Sequence, residues 1–135
     1  MNLLVADHAD EFLDRFYSFG DALLRHIEVD YRSRSNPQMK ATIVLSCQDQ
    51  QASRDNGWTN LSLYLEDVTE FQFAEPPQTT FVVISDYVRI GWFEDVAFLD
   101  FGGLTDEPKS IGDFRRSPVY IAAKVVKWEV TSYAE

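Results

Sequence analysis

The chain has 135 residues, 45% of them hydrophobic and 14% aromatic, which is enough for one domain with a substantial core. Its 22 acidic residues outnumber its 12 basic residues, so the formal net charge is -10. This charge disfavours nucleic acid and anionic membranes as partners and favours a basic protein. We therefore predict a single domain over residues 1–135 that binds neither nucleic acid nor membrane.

The cysteine content and the lengths of the apolar runs indicate the cellular compartment of the protein. Cys47 is the only cysteine, so no internal disulfide can form, unlike in secreted disulfide scaffolds. Residues 1–8 lack the basic segment and the apolar run of a signal peptide. No apolar run approaches the ~20 residues of a membrane span. These features predict a cytoplasmic protein.

One amphipathic helix is predicted near the start of the chain, from Asp7 to Gly20. Its apolar residues recur at helical spacing: Ala9, Phe12, Leu13, Phe16 and Tyr17. Asp7 is suited to cap the first turn and Gly20 to end the helix. Because the helix is short, we expect its apolar face to pack on a sheet.

The rest of the chain is predicted to form about seven antiparallel strands. Alternating apolar and polar residues predict strands at 23–31, 39–47 and 61–73, the last being one long bent strand or two. Further strands are expected within 81–93, 96–101 and 117–133, with a hairpin turn at 93–96 and a long loop at 102–116. The predicted fold class is α+β, mainly β: an antiparallel β-sandwich or curled sheet with one short N-terminal helix.

The closing stretch, residues 117–133, is the longest predicted strand. The apolar face changes near residues 124–126, which predicts a bulge or a strand that passes between sheets. Trp128 lies between the polar neighbours Lys127 and Glu129. We expect Trp128 in the main core, near Phe71 or Phe73 and the apolar side of the helix.

The sequence contains no phosphate loop, dinucleotide fingerprint, nucleophile elbow or zinc spacing. Its only histidines are His8 and His26, and a metal site needs at least three converging ligands. Cys47 lies on an apolar strand face, where a buried, inert thiol is expected. We therefore predict no metal, no cofactor and no catalytic site.

Acidic residues gather at predicted strand ends and turns: Glu66, Asp67, Glu70, Glu75, Glu94 and Asp95. One interpretation is a solvated rim that prevents strands from pairing edge to edge with other chains. The other is a surface that steers a basic protein partner toward the domain.

A small-ligand or hydrolytic pocket is the alternative from another functional class. It would use Trp92, Asp100 and Arg115 at the open end of the fold. Asp100 could equally be an outward-facing strand residue or one half of an ion pair with Arg115 or Arg116. A third alternative is a structural module that self-associates, such as a homodimer in which an exposed edge strand or the final long strand pairs across a two-fold axis.

Several short segments resemble small uncharacterised bacterial proteins that act as immunity partners of polymorphic toxins. The similar segments are Phe19-Gly20-Asp21-Ala22-Leu23, Leu99-Asp100-Phe101, Ser117-Pro118-Val119-Tyr120 and Trp128-Glu129-Val130. The resemblance implies a short helix that leads into a β-sandwich. It also implies a cytoplasmic inhibitor that binds a protein without catalysis.

Overall fold

A computed structural model describes residues 1–74, 83–84 and 87–133. Its strands are β1 (Asn2–Leu4), β2 (Leu23–Asp30), β3 (Lys40–Gln48), β4 (Trp58–Phe73), β5 (Val88–Phe93), β6 (Val96–Phe101) and β7 (Val119–Ser132). Its α-helices are α1 (Ala9–Arg15) and α2 (Ile111–Arg115). The prediction of a strand within 81–93 is confirmed for β5, and the remainder of that prediction falls partly outside the described residues.

The seven strands form one antiparallel sheet in the order β2-β3-β4-β7-β6-β5, and β1 pairs with β7. The mainly-β prediction is confirmed, and of the two predicted arrangements the structure has the single sheet. A bridge between Leu23 and Val83 joins the segment before β5 to β2. Because β5 and β2 lie at opposite ends of the strand order, this bridge shows that the sheet curls until its edges approach.

β7 is the central strand, and its pairing explains the predicted change of face. One edge of β7 pairs with β4 along almost its whole length. The other edge pairs first with β6, up to Ala97 opposite Ala123, and then with β1, from Leu4 opposite Val126. Ala123 and Val126 both lie in the main core although they are three residues apart, so the buried face changes where β6 ends and β1 begins.

Trp128 packs against the helix, as predicted, and is partly buried beside the main core. Its ring centroid lies 5.2 Å from that of Phe12 and 5.8 Å from that of Phe16. The expected packing near Phe71 or Phe73 is wrong. The register places those residues opposite Ile121 and Val119, at the other end of β7.

The helical region differs from the predicted helix at both ends. Ala6–His8 is a 3₁₀ turn, and Asp7 makes no capping hydrogen bond, so the predicted cap is wrong. The α-helix stops before Gly20 because Tyr17, Ser18 and Phe19 adopt left-handed φ angles of 54°, 53° and 60°. This turn brings Phe19 back against Phe16, and the two rings stack with centroids 5.3 Å apart.

α2 lies within the stretch that was predicted to be a loop. Ser110 caps it by accepting a hydrogen bond from the Asp113 N–H at 3.1 Å. Its Phe114 packs with Phe98 and Tyr120 in a second, smaller cluster. Since Leu99 and Ile121, the strand neighbours of these residues, belong to the main core, α2 covers the opposite face of β6 and β7.

Candidate protein-binding surfaces

Three of the predicted acidic residues lie on β4, and each has a basic partner. The Glu66 carboxylate lies 3.0 Å from Lys127 Nζ, and the Asp67 carboxylate lies 3.8 Å from Lys124 Nζ. Both lysines belong to β7, which pairs with β4 in the sheet. The carboxylates of Glu66 and Asp67 are therefore each offset by a lysine of the neighbouring strand.

Glu70 is the most firmly bound acid of this surface. Arg115 Nε and Nη2 donate to its two carboxylate oxygens at 2.7 and 2.8 Å, and the Tyr120 hydroxyl donates at 2.9 Å. The hydrogen bonds from Arg115 hold the pKa of Glu70 below its usual range. We call the three acids and their partners Lys127, Lys124 and Arg115 the ion-paired face.

Glu94 and Asp95 form the turn of the β5–β6 hairpin, which confirms the predicted turn. Both are exposed, with left-handed φ angles of 51° and 66°, as a tight hairpin turn requires. They belong to a different part of the sheet from the acids of β4. Glu75, the remaining residue of the predicted acidic surface, lies outside the described residues.

Another acidic surface lies on the helical segment. Four exposed acids follow one another at helical spacing: Asp7, Asp10, Glu11 and Asp14. Within the described ranges, none of the four forms an ion pair. We call this set the acidic stripe. From the sequence only Asp7 was singled out, as a helix cap, although the spacing of the four acids already placed them on one face.

The acidic stripe is held on the sheet by contacts at the end of α1. Arg15 donates two hydrogen bonds to the Asp49 carboxylate, at 2.9 and 3.0 Å, and its guanidinium lies 5.4 Å from the Trp128 ring centre. Gln50 Nε2 donates to the Asp14 carbonyl at 2.7 Å. Burial acts to raise the pKa of Asp49, but hydrogen bonds from Arg15 and the Gln51 N–H lower it below its usual value. The one arginine of α1 is thus committed to the sheet and does not offset the stripe.

Asp100, the centre of the alternative pocket, is fully buried. Its Oδ1 accepts hydrogen bonds from the Gly103 N–H at 2.9 Å and from Ser117 Oγ at 2.6 Å. Among the described residues, its Oδ2 is buried without a hydrogen-bond partner, as is Nε of Arg89, the residue opposite it on β5. Burial raises the pKa of Asp100. These contacts fasten the start of the 102–116 loop to the strand that follows it.

None of the clefts formed by the described residues is lined by all three residues of the alternative pocket. Arg115 is exposed and binds Glu70, not Asp100. Trp92 lines a cleft of about 410 Å³ to which neither Asp100 nor Arg115 contributes. The geometry therefore offers no common site in which these side chains could act on one substrate.

Cys47 is buried in the main core. Burial raises the pKa of the Cys47 thiol to about 12, which suits the inert thiol expected from the sequence. No group of three or more His, Cys, Asp or Glu side chains in this part of the chain is placed to hold a metal ion. Among the described helices, none is long and apolar enough to cross a membrane.

Comparisons with known proteins do not assign the chain to a family. No family model matches it, and no curated protein or solved structure is significantly similar to it.

Proposed function

We propose that this chain is a non-catalytic domain that binds a basic protein in the cytoplasm, as an immunity-type inhibitor of a toxin or enzyme would. The observation that carries the proposal is the acidic stripe. It presents four exposed carboxylates on the 3₁₀ turn and α1, and α1 is anchored to the rest of the domain through Arg15 and Trp128.

The position of Asp14 supports a binding role for the stripe. Asp14 lies in the last turn of α1, where the helix dipole disfavours negative charge, and Asp10 precedes it by one turn with the same sign. Both effects oppose folding slightly. Local arrangements that oppose folding are expected at functional sites rather than at inert surface positions.

Charge without local partners acts at a distance. A basic protein is attracted to the stripe before contact, which raises the association rate at low salt and loses that gain as salt screens the field. The ion-paired face contributes little to this attraction, because each of its acids has a basic group within 4 Å. Exposed Tyr17, at the end of the helical segment, offers an aromatic contact beside the charges.

Two variants with the same change of charge test the proposal. Asp10→Asn, Glu11→Gln and Asp14→Asn together neutralise most of the stripe, whereas Glu66→Gln, Asp67→Asn and Glu70→Gln neutralise the acids of the ion-paired face. Binding of a labelled deca-arginine peptide is measured at about 20 and about 200 mM salt, where the screening lengths differ about threefold. We expect the stripe variant to lose most of the affinity and most of its salt dependence. Equal losses in the two variants would show that only net charge matters and would contradict the proposal.

The natural partner is sought by affinity capture from the source cell at low and high salt. The wild-type chain and the stripe variant are used as paired baits. A basic protein retained by the wild type and lost from the stripe variant supports the proposal. Recovery of no protein partner at either salt concentration counts against it.

A further inference from the structure

A cleft of about 410 Å³ opens beside β7, between the part of β7 that pairs with β6 and the part that pairs with β1. The edge of β7 that pairs with β6 up to Ala123 pairs with β1 only from Val126 onward. Lys124 and Val125 therefore have no strand opposite them on this edge. The cleft is lined by Leu3, Leu4, Val5, Ala6, Asp7, Trp92, Asp95, Lys124 and Val125. Its volume falls within the range of natural ligand sites.

The lining combines an aromatic ring with carboxylates that come from separate elements. Trp92 lies on β5, Asp95 in the hairpin turn that follows it, and Asp7 in the 3₁₀ turn before α1. Lys124 is the only basic residue of the lining, and its Nζ lies 3.8 Å from the carboxylate of Asp67 on β4, across the opposite edge of β7. Asp67 thus offsets the charge of Lys124, and the two aspartates line the same cleft as Trp92.

We propose that this cleft receives a lysine or arginine side chain of the basic partner, an inference that rests on the proposed function. A cation is attracted to the face of an indole, and tryptophan provides the strongest such attraction among the aromatic side chains. Carboxylates at the same site bind the charged end through charge-assisted hydrogen bonds. Asp7 belongs both to the cleft and to the acidic stripe, so one basic surface can contact the two together.

The probe for this site is arginine blocked at both ends, N-acetyl-arginine N-methylamide, with the matching citrulline compound as a neutral control. Binding is followed through the indole N–H signals of the protein in ¹H–¹⁵N spectra, and Trp92→Phe identifies the signal of Trp92. We expect a saturable shift of the Trp92 signal with the arginine compound and none with citrulline. Absence of a shift at Trp92, or an equal shift with citrulline, would overturn the proposal.

A matched pair of double variants tests the carboxylates. Asp7→Asn with Asp95→Asn removes both from the cleft, and asparagine tolerates the left-handed backbone at residue 95. Asp106→Asn with Glu107→Gln makes the same change of charge in an exposed loop. We expect the cleft variant to bind the arginine compound about tenfold more weakly and the loop variant to bind it like the wild type. Equal weakening in both variants would exclude specific binding by the cleft carboxylates.

The same measurements separate this inference from the proposed function. If the arginine compound leaves Trp92 unchanged while deca-arginine binding still depends on the acidic stripe, the cleft proposal is wrong and the proposed function stands. If deca-arginine binding does not depend on the stripe, the proposed function fails whatever the cleft binds.

Discussion

The ion-paired face and the acidic stripe are both rich in carboxylates, yet only the stripe leaves its charge without local partners. Glu66 meets Lys127 from a position 61 residues away, because antiparallel strands bring distant parts of the chain side by side. On the outward face of a helix, by contrast, the neighbours of an acid are the residues three and four positions along. In the stripe the charged neighbours at these positions are acids, except for Arg15, which follows Glu11 by four residues and binds Asp49.

This difference shows why charge counted along the sequence misleads about surface charge. Most of the acids lie in the second half of the chain, and the sequence alone suggested that the acidic surface would lie there. The strands of that half also carry the lysines that balance them. The acidic stripe lies in the first half instead, where four acids, unpaired among the described residues, follow one another at helical spacing. The variants below either remove the contacts that hold the acidic stripe on the domain or change the charge of the stripe or of the ion-paired face alone.

The largest effect is expected from Trp128→Ala, which removes the ring on which Phe12 and Phe16 rest. Truncation of a large aromatic costs about 3 kcal/mol or more, and Trp128 also supports Arg15. We expect this loss in the free energy of unfolding from a denaturant titration, with Lys127→Ala as a control that changes it by less than about 1 kcal/mol. A loss below about 1 kcal/mol for Trp128→Ala would show that the ring does not support the helix.

The fold could be predicted largely because alternation of apolar and polar residues has a local cause. The β3 strand alternates from Ala41 to Leu45 because one face lies in the core, and its predicted position is confirmed. The hairpin at Glu94 and Asp95 was predictable because a short polar pair separates two apolar runs. Each of these signals lies within a few residues of the element that it specifies.

The remaining features depend on contacts between distant residues. α2 has five residues, too few for a periodic pattern, and it is held by the packing of Phe114 on Phe98. Asp100 was expected to face outward, or to pair with Arg115 or Arg116, because alternation does not show which face a later loop covers. The bonds that bury it come from Gly103 and Ser117. The basic partners of the acids on β4 could not be predicted either, because they are distant from those acids in the sequence.

A smaller effect, with a defined pH dependence, is expected from Asp49→Asn. The Asp49 carboxylate is buried and accepts two hydrogen bonds from Arg15, and charge-assisted bonds of this kind contribute about 2 kcal/mol. Folding lowers the pKa of Asp49. At pH values above the pKa of the unfolded chain, about 4, the ionised carboxylate therefore stabilises the folded state. This contribution is lost as the pH falls through the lowered value.

Denaturant titrations at several pH values check this expectation. The gap in unfolding free energy between wild type and Asp49→Asn should be constant from about pH 7 to about pH 5 and should close toward about pH 3. Asp55→Asn, an exposed acid in the same loop, is the control and should change little. A gap that widens on acidification would be the opposite of the expected sign.

On the ion-paired face, Glu70→Gln is expected to destabilise the fold only slightly, because its partner Arg115 is largely exposed and surface ion pairs contribute little. We expect a small decrease in the urea midpoint at neutral pH that shrinks at acid pH, since Arg115 lowers the pKa of Glu70 in the folded state. Glu94→Gln on the hairpin turn is the control. Deca-arginine binding should be almost unchanged in Glu70→Gln, and a large loss of binding would make the ion-paired face part of the interface.

The smallest effect on stability, and the sharpest test of the stripe, is expected from a comparison of two single variants, Asp14→Asn and Asp10→Asn. Asp14 lies in the last turn of α1, so its neutralisation should raise the unfolding free energy by about 0.3–0.5 kcal/mol. Asp10 lies in the first turn, where the dipole favours an acid, so its neutralisation should lower stability by a similar amount. Both variants should bind deca-arginine more weakly than the wild type does. Stability and binding would then change in opposite directions at Asp14, as expected for a charge retained for binding. If Asp14→Asn gained stability with no loss of binding, the stripe would be no more than a solvated helix face.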